Sequence, residues 1–216
     1  ASFVVLGPQG QRVPAEVPLS GSFNVANALC AIALAAEGGL DVSEVARGIA
    51  QGPGVPGRLE RVDAGQDFTV VVDYAHKPEA VEAAISAMRP LTSGQVILVI
   101  GAGGDRDTGK RPLTGEIGAR LADVLIVTDD NPRSESPASI RAAVIDGAQQ
   151  VPHHDRAEII EVGDRRSAIE QAVALAEHGD IVVIAGKGHE TGQQVGDVVH
   201  PFDDRVVARQ SLDRLR

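Results

Sequence analysis

From about residue 69 the chain alternates short, continuous apolar runs with longer segments of mixed polarity. The runs are Thr69 to Asp73, Gln95 to Ile100, Val124 to Thr128, Glu158 to Val162 and Ile181 to Ala185. Apolar β-branched runs of this length read as strands buried on both faces, as in a parallel sheet under helices. Between them Pro78 to Met88, Leu113 to Ala122, Pro137 to Gln149 and Arg165 to His178 read as helices. Pro78 opens the first of these, where its missing N–H costs nothing. Gln193 to His200 reads as an edge hairpin and Asp203 to Leu215 as a final helix. Strand, loop and helix in repetition predict an α/β, Rossmann-like fold: a mostly parallel sheet, helices on both faces, right-handed crossovers.

Earlier residues follow another pattern. Phe3 to Leu6 and Arg12 to Val17 flank Gly7-Pro8-Gln9-Gly10, a hairpin signature. Ala26 to Ala36 is an alanine-rich helix ending at Gly38-Gly39, and Asp41 to Ala50 is a second helix. Gly52-Pro53-Gly54-Val55-Pro56-Gly57 has no regular pattern and reads as a linker. The chain is therefore divided into residues 1–56 and 57–216. No repeat or low-complexity segment interrupts either part.

Composition narrows the picture. A chain of 216 residues is one large domain, or one domain with a piece of another. A formal charge of −10 argues against a nucleic-acid surface and favours small-molecule chemistry. With no Trp, one Tyr and four Phe, the core is aliphatic. The single Cys30 rules out an internal disulfide framework, fits a reducing cytoplasm, and reads as a small buried hydrophobe. No apolar stretch is long enough to span a membrane, and no signal peptide is visible. The chain starts at Ala1 without Met, which reads as part of a longer protein.

The candidate chemistry lies in loops that follow strands. Thr128-Asp129-Asp130-Asn131-Pro132-Arg133 presents two carboxylates, an amide and a guanidinium after Val124 to Val127. Asn131-Pro132 enforces a turn, because the residue before proline is kept out of the helical region. A guanidinium grips a carboxylate with two parallel hydrogen bonds, and a carboxylate holds an ammonium, so this loop suits a zwitterion. The alternative is a solvated acidic turn capping the next helix.

Three further loops join it at the carboxyl edge expected of a parallel sheet: Asp73 to Pro78, Gly101 to Pro112 and Gly186 to Thr191. Gly104 to Lys110 fits a phosphate loop up to its Lys, but Arg111 stands where Ser or Thr would bind magnesium. Gly101-x-Gly103 starts a dinucleotide fingerprint that Arg106 breaks. Arg106 is better read as a second carboxylate clamp, with a surface cluster alongside Asp105 and Asp107 as the alternative. Gly186-Lys187-Gly188-His189-Glu190 lets backbone approach a ligand, and Glu190 suits an ammonium. Asp73 suits ribose hydroxyls and His76 a phosphate, although an isolated histidine is more often structural. Asn24 and Asn27 also suit helix capping. His153-His154-Asp155 has no further ligand at metal spacing and reads as an exposed turn.

Taken together, these phrases resemble the Mur ligases, ATP-dependent amide-forming enzymes of peptidoglycan synthesis. The resemblance runs collinearly through Gly21 to Asn27, Gly57 to Glu60, Asp73 to Pro78, Gly101 to Pro112, Thr128 to Arg133 and Gly186 to Thr191. The Asp-Asn-Pro-Arg form of the third loop is similar to that of members adding meso-diaminopimelate; lysine-adding members differ at the Arg position. The resemblance implies an ATP-dependent acid–amino-acid ligase, cytoplasmic and monomeric. It would join meso-diaminopimelate to a UDP-N-acetylmuramoyl dipeptide through an acyl phosphate, with Mg2+ balancing phosphate charge. Residue by residue, it implies Asn27 on adenine, and Arg58 and Asp73 on the ATP phosphates and ribose, with His76 nearby. Arg106, Asp130, Asn131, Arg133, Gly186 and Glu190 would bind diaminopimelate: Arg106 and Arg133 its carboxylates, the Gly186 carbonyl and Glu190 its distal ammonium. It makes residues 1–56 the end of a central ATP-binding domain and 57–216 the amino-acid-binding ligase domain. The family's Gly-Lys-Thr loop, magnesium ligands, modified lysine and uridine-nucleotide domain have no counterpart here, so the chain alone should be inactive. A non-catalytic amino-acid or nucleotide-binding module, and a folylpolyglutamate-synthetase-like ligase sharing Asp73-x-x-His76, are the competing readings.

Overall fold

A computed structural model describes residues 1–19 and 21–215. The chain forms two compact units, Ala1–Val55 and Pro56–Arg216.

In the first unit β1 (Ser2–Leu6) pairs antiparallel with β2 (Arg12–Glu16) across a 3-10 turn at Pro8–Gly10. Two helices follow, α1 (Ser22–Glu37) and α2 (Val42–Ala50). Asp41 caps α2 by accepting from the amides of Ser43 at 2.9 Å and Glu44 at 3.0 Å. Val5, Val13, Ala15, Ile32 and Ala46 make a small core. Only Asn24, Ala28 and Ile32 of α1 are buried, one stripe at four-residue spacing. Cys30 lies off that stripe and is exposed, which corrects the expectation of a buried thiol. An alanine-rich helix is apolar all round, so hydropathy alone does not say which face is covered.

The second unit is built on a six-stranded sheet, among the described residues, in the order β3-β4-β8-β5-β6-β7. Its strands are β3 (Glu60–Arg61), β4 (Thr69–Asp73), β5 (Val96–Ala102), β6 (Val124–Asp129), β7 (Glu158–Glu161) and β8 (Ile181–Ala185). All neighbours are parallel except β3 and β4. The two-residue β3 is too short to leave a periodicity, which is why the hydropathy pattern did not predict it.

Side chains alternate across the sheet. Val71, Leu98, Ile100, Leu125, Val127 and Val183 face one way, under α3 (Pro78–Met88), α4 (Lys110–Leu121) and α5 (Pro137–Gln149). Val70, Val72, Ile97, Val99, Ile126, Val182 and Ile184 face the other, under α6 (Arg165–Leu175) and α7 (Asp204–Asp213). Burial of each such residue is worth roughly 1.5–3 kcal/mol before conformational entropy is charged.

After β7 the chain turns back. α6 crosses on the opposite face and delivers β8 between β4 and β5. The carboxyl ends of β4, β8, β5 and β6 then stand side by side, with Asp73 opposite Ala185 and Ala102 opposite Asp129.

β9 (Gly192–Val195) and β10 (Val198–Pro201) form a separate antiparallel pair. The sequence predicts an edge hairpin here. The hairpin does not extend the main sheet but bridges from Val195 to Arg133 at the rim.

Candidate functional site

Four loops leave the carboxyl rim and enclose a hollow of about 380 Å³. Tyr74 and His76 line it from the β4 loop, Gly101 to Gly103, Arg106, Asp107, Lys110 and Arg111 from the β5 loop and the start of α4. Asp130, Asn131 and Arg133 enter from the β6 loop, Gly186 and Glu190 from the β8 loop. A larger groove beside β7, lined by Gln149, His153 and Arg156, contains none of the predicted site residues. All six residues assigned to the amino acid thus share one hollow.

Charges of both signs line it. Arg106 and Arg133 flank Gly103, where an added Cβ would lie 3.0 Å from Arg133 Nη1 and 3.6 Å from Arg106 Cγ. Arg106 is exposed, with Nη1 donating to the Asp105 carbonyl at 3.0 Å. Arg133 Nη1 donates to the Gly104 carbonyl at 2.7 Å. Gly104 itself abuts the Pro132 carbonyl, 1.9 Å from where a Cβ would stand, so only glycine lets these two loops touch.

Of the two carboxylates in the β6 loop only Asp130 reaches the hollow. Asp129 is ion-paired with Arg141 of α5, which also donates to Glu161 at 2.8 Å. Asp130 has a cation beneath it. Arg165, fully buried, pairs with Asp204 at 2.7 Å, donates to the Ala185 carbonyl at 2.9 Å, and places Nη1 4.0 Å from Asp130. Asp204 holds the guanidinium charged against the cost of burial, which otherwise lowers its pKa.

Glu190 accepts from Asn131 Nδ2 at 3.1 Å and from Lys187 Nζ at 3.4 Å. Lys187 is fully buried and also donates to Asn131 Oδ1 at 3.0 Å. Sequence reasoning did not single out this lysine. No local signal marked it: a lysine between two glycines ordinarily keeps its charged head in water, and it is Asn131, 56 residues away in sequence, that holds it down.

Arg58, Asp73 and His76, three of the residues expected to hold ATP, gather at Tyr74. The Arg58 guanidinium lies 4.7 Å from its ring centroid, with the His76 ring at 4.7 Å and His189 at 5.2 Å. His76 Nδ1 lies 2.9 Å from the Tyr74 carbonyl. Asp73 is buried and accepts from the amides of Leu59 at 2.7 Å and Ala75 at 2.8 Å. Burial raises its pKa above the ordinary carboxylate value, opposed by those two amides and by Arg58. Asn27 is exposed on α1, in the other compact unit. Among the described residues no group of three His, Cys, Asp or Glu could hold a metal ion.

Known proteins resemble this chain along nearly its whole length. It is 54% identical over 214 residues to UDP-N-acetylmuramoyl-L-alanyl-D-glutamate--2,6-diaminopimelate ligase of Streptomyces coelicolor, covering 99% of this chain and 42% of that protein. The ligase of the same name from Caulobacter vibrioides is 50% identical over 199 residues, covering 92% and 39%. The chain therefore spans about two fifths of the length of these relatives. A solved structure of a ligase of that name superposes with a TM-score of 0.71 at 38% identity, over 99% of this chain and 43% of the other. A folylpolyglutamate synthase from Mycobacterium tuberculosis superposes with a TM-score of 0.65 at 22% identity, over 99% and 44%, and shares the fold. The family described as Mur ligase, glutamate ligase domain, matches residues 57–188, which hold the sheet, three of the rim loops and the start of the fourth, and the chain belongs to that family.

Proposed function

We propose that residues 57–216 are the amino-acid-binding domain of an ATP-dependent, amide-forming ligase that adds meso-diaminopimelate to a UDP-N-acetylmuramoyl dipeptide. The observation that carries this reading is the charge gathered in the rim hollow: Arg106 and Arg133 beside Gly103, and Asp130 beside Gly186, with Glu190 in the same lining. A diamino diacid needs such a site. One end presents the amine that attacks, and the far end carries a carboxylate and an ammonium that must be held. Arg106 and Arg133 take carboxylate oxygens, while the Gly186 carbonyl and Glu190 take the distal ammonium. Asn131 and Lys187 hold Glu190 in place. Asp130, with Arg165 behind it, turns a second acceptor toward the amine end.

ATP, when bound, supplies the phosphoryl group that activates the acceptor carboxylate. Arg58, Asp73 and His76 are assigned to it, with the Tyr74 face beside them, and Asn27 to adenine. Asp73 fits ribose only through lone pairs left over from the Leu59 and Ala75 amides. We assign no magnesium ligand to this chain. The relatives are more than twice as long, so the reaction is assigned to a longer protein of which this chain supplies the amino-acid site, and residues 1–56 to the end of its ATP-binding domain. The substrates are small molecules, and we assign the protein to the cytoplasm as a monomer.

Calorimetric titration of the full-length ligase tests the reading. Diaminopimelate should bind at least tenfold more tightly than L-lysine, because lysine leaves Arg133 facing no carboxylate, a loss on the order of 2–5 kcal/mol. Arg133→Ala should abolish most of that preference. Equal affinity for the two amino acids in the parent, or unchanged preference in the variant, would sink the assignment.

A further inference from the structure

We propose that the β9–β10 hairpin is a selectivity clamp, and that Gln193 is its positioning residue for the Asp130–Arg133 loop. The inference rests on the reading of the rim hollow given above and goes beyond it. It concerns what holds the loop, not which residues touch the ligand.

The hairpin has little other support. Among the described strands β9 and β10 pair only with each other, and β10 is exposed along its length. Val195, Val198 and Val199 remain 44%, 57% and 63% exposed, so no apolar core anchors the element. Its polar bonds to the β6 loop tie it down instead. Arg133 N–H donates to the Gln194 carbonyl at 3.1 Å, and Gly196 N–H donates to the Arg133 carbonyl at 2.7 Å. Gln194 N–H donates to Asn131 Oδ1 at 2.9 Å. Gln193 Nε2 donates to the Asp130 carbonyl at 2.7 Å and reaches the Asp129 carbonyl at 3.5 Å.

The clamped residue is in an unusual conformation. Arg133 has φ +51°, in the left-handed region that non-glycine residues rarely occupy. Such a backbone persists where its surroundings over-determine it. Here the two backbone groups of Arg133 are bonded to β9 and to the turn after it, and the Asp129 and Asp130 carbonyls are held by one side chain. The geometry aims the guanidinium across Gly103 instead of into solvent.

Gln193 is suited to the task because its amide offers two N–H donors to two carbonyls. Gln193→Glu keeps the shape and replaces those donors with oxygens that repel the carbonyls. Gln193→Ala only removes them. Both variants, made in the full-length ligase, should be compared with the parent by amide hydrogen exchange and steady-state kinetics. Exchange at the amides of Asp130, Asn131 and Arg133 should rise in both, more in Gln193→Glu than in Gln193→Ala. KM for diaminopimelate should rise about five- to tenfold, the size of one neutral hydrogen bond. KM for ATP, kcat and the melting temperature should stay near the parent's. Unchanged exchange of the loop in Gln193→Glu overturns the clamp. So does a rise in KM for ATP accompanied by a fall in melting temperature, which marks general destabilisation. The exchange measurement needs no ligand. A parent that accepts lysine equally would thus refute the proposed substrate, while exchange still decides the clamp.

Discussion

Glu135 shows how a half-exposed residue can brace a site without lining it. Its carboxylate accepts from both terminal nitrogens of buried Arg111 at 2.8 Å and from the Asp105 amide at 2.6 Å. Asp105, at φ +53°, in turn accepts from the Ser134 hydroxyl at 2.7 Å. The β5 and β6 loops are thereby tied to each other independently of the hairpin. Arg111 and the Asp105 amide hold the Glu135 pKa below its ordinary value. A carboxylate depressed in the folded state adds stability above its unfolded pKa, and that stability is lost as pH falls through the folded value. Glu135→Gln should therefore melt below the parent at neutral pH. The gap should close on acidification through the glutamate range, as followed by thermal melts across pH. A gap constant with pH would show that the bond, not the charge, carries the effect. Arg111 is where a phosphate loop would have Ser or Thr, and its burial against Glu135 explains why the near match in sequence is not a phosphate loop in space.

At the scale of elements, α4 and α5 approach until backbone meets backbone. A Cβ on Gly115 would stand 1.8 Å from the Val144 carbonyl oxygen, and one on Gly147 1.9 Å from that of Pro112. The two glycines sit on facing helices and set their separation, which fixes where α4 begins and hence where Lys110 and Arg111 enter the rim. Gly147→Ala should cost about 3 kcal/mol or more, since backbone atoms cannot rotate aside as a flexible side chain would. For a unit of this size that is a fall of roughly 6–12 °C in melting temperature, measurable by calorimetry. A shift under 2 °C would mean that the helices part without cost. Glycines inside helical patterns were visible in the sequence, but their partners were not, because sequence spacing does not reveal which helices face each other.

For the molecule as a whole, the two compact units meet in the Gly-Pro segment 52–57, whose residues 53, 55 and 56 are exposed. A broad-specificity protease in limiting amount should cut there first and leave a piece beginning near residue 56. That piece should keep the cooperative melt of a packed domain, because both faces of its sheet are covered from within. First cuts inside β4 to β8 would contradict this. The amino-acid sequence by itself determined the parallel strands and the helices of the second unit, though not β3, and the position of each rim loop. A strand buried on both faces must be continuously apolar, and its polar end is then conspicuous. It also determined the charge types at the rim, and through the resemblance their family. Only the tertiary structure decided that β8 lies between β4 and β5, bringing Glu190 beside Asn131. It alone placed the hairpin over Arg133, buried Lys187, turned Asp129 away and left Cys30 exposed. The physical reason is the same in each case. Local pattern reports whether a residue is covered along its own element, whereas these outcomes depend on which distant segment does the covering.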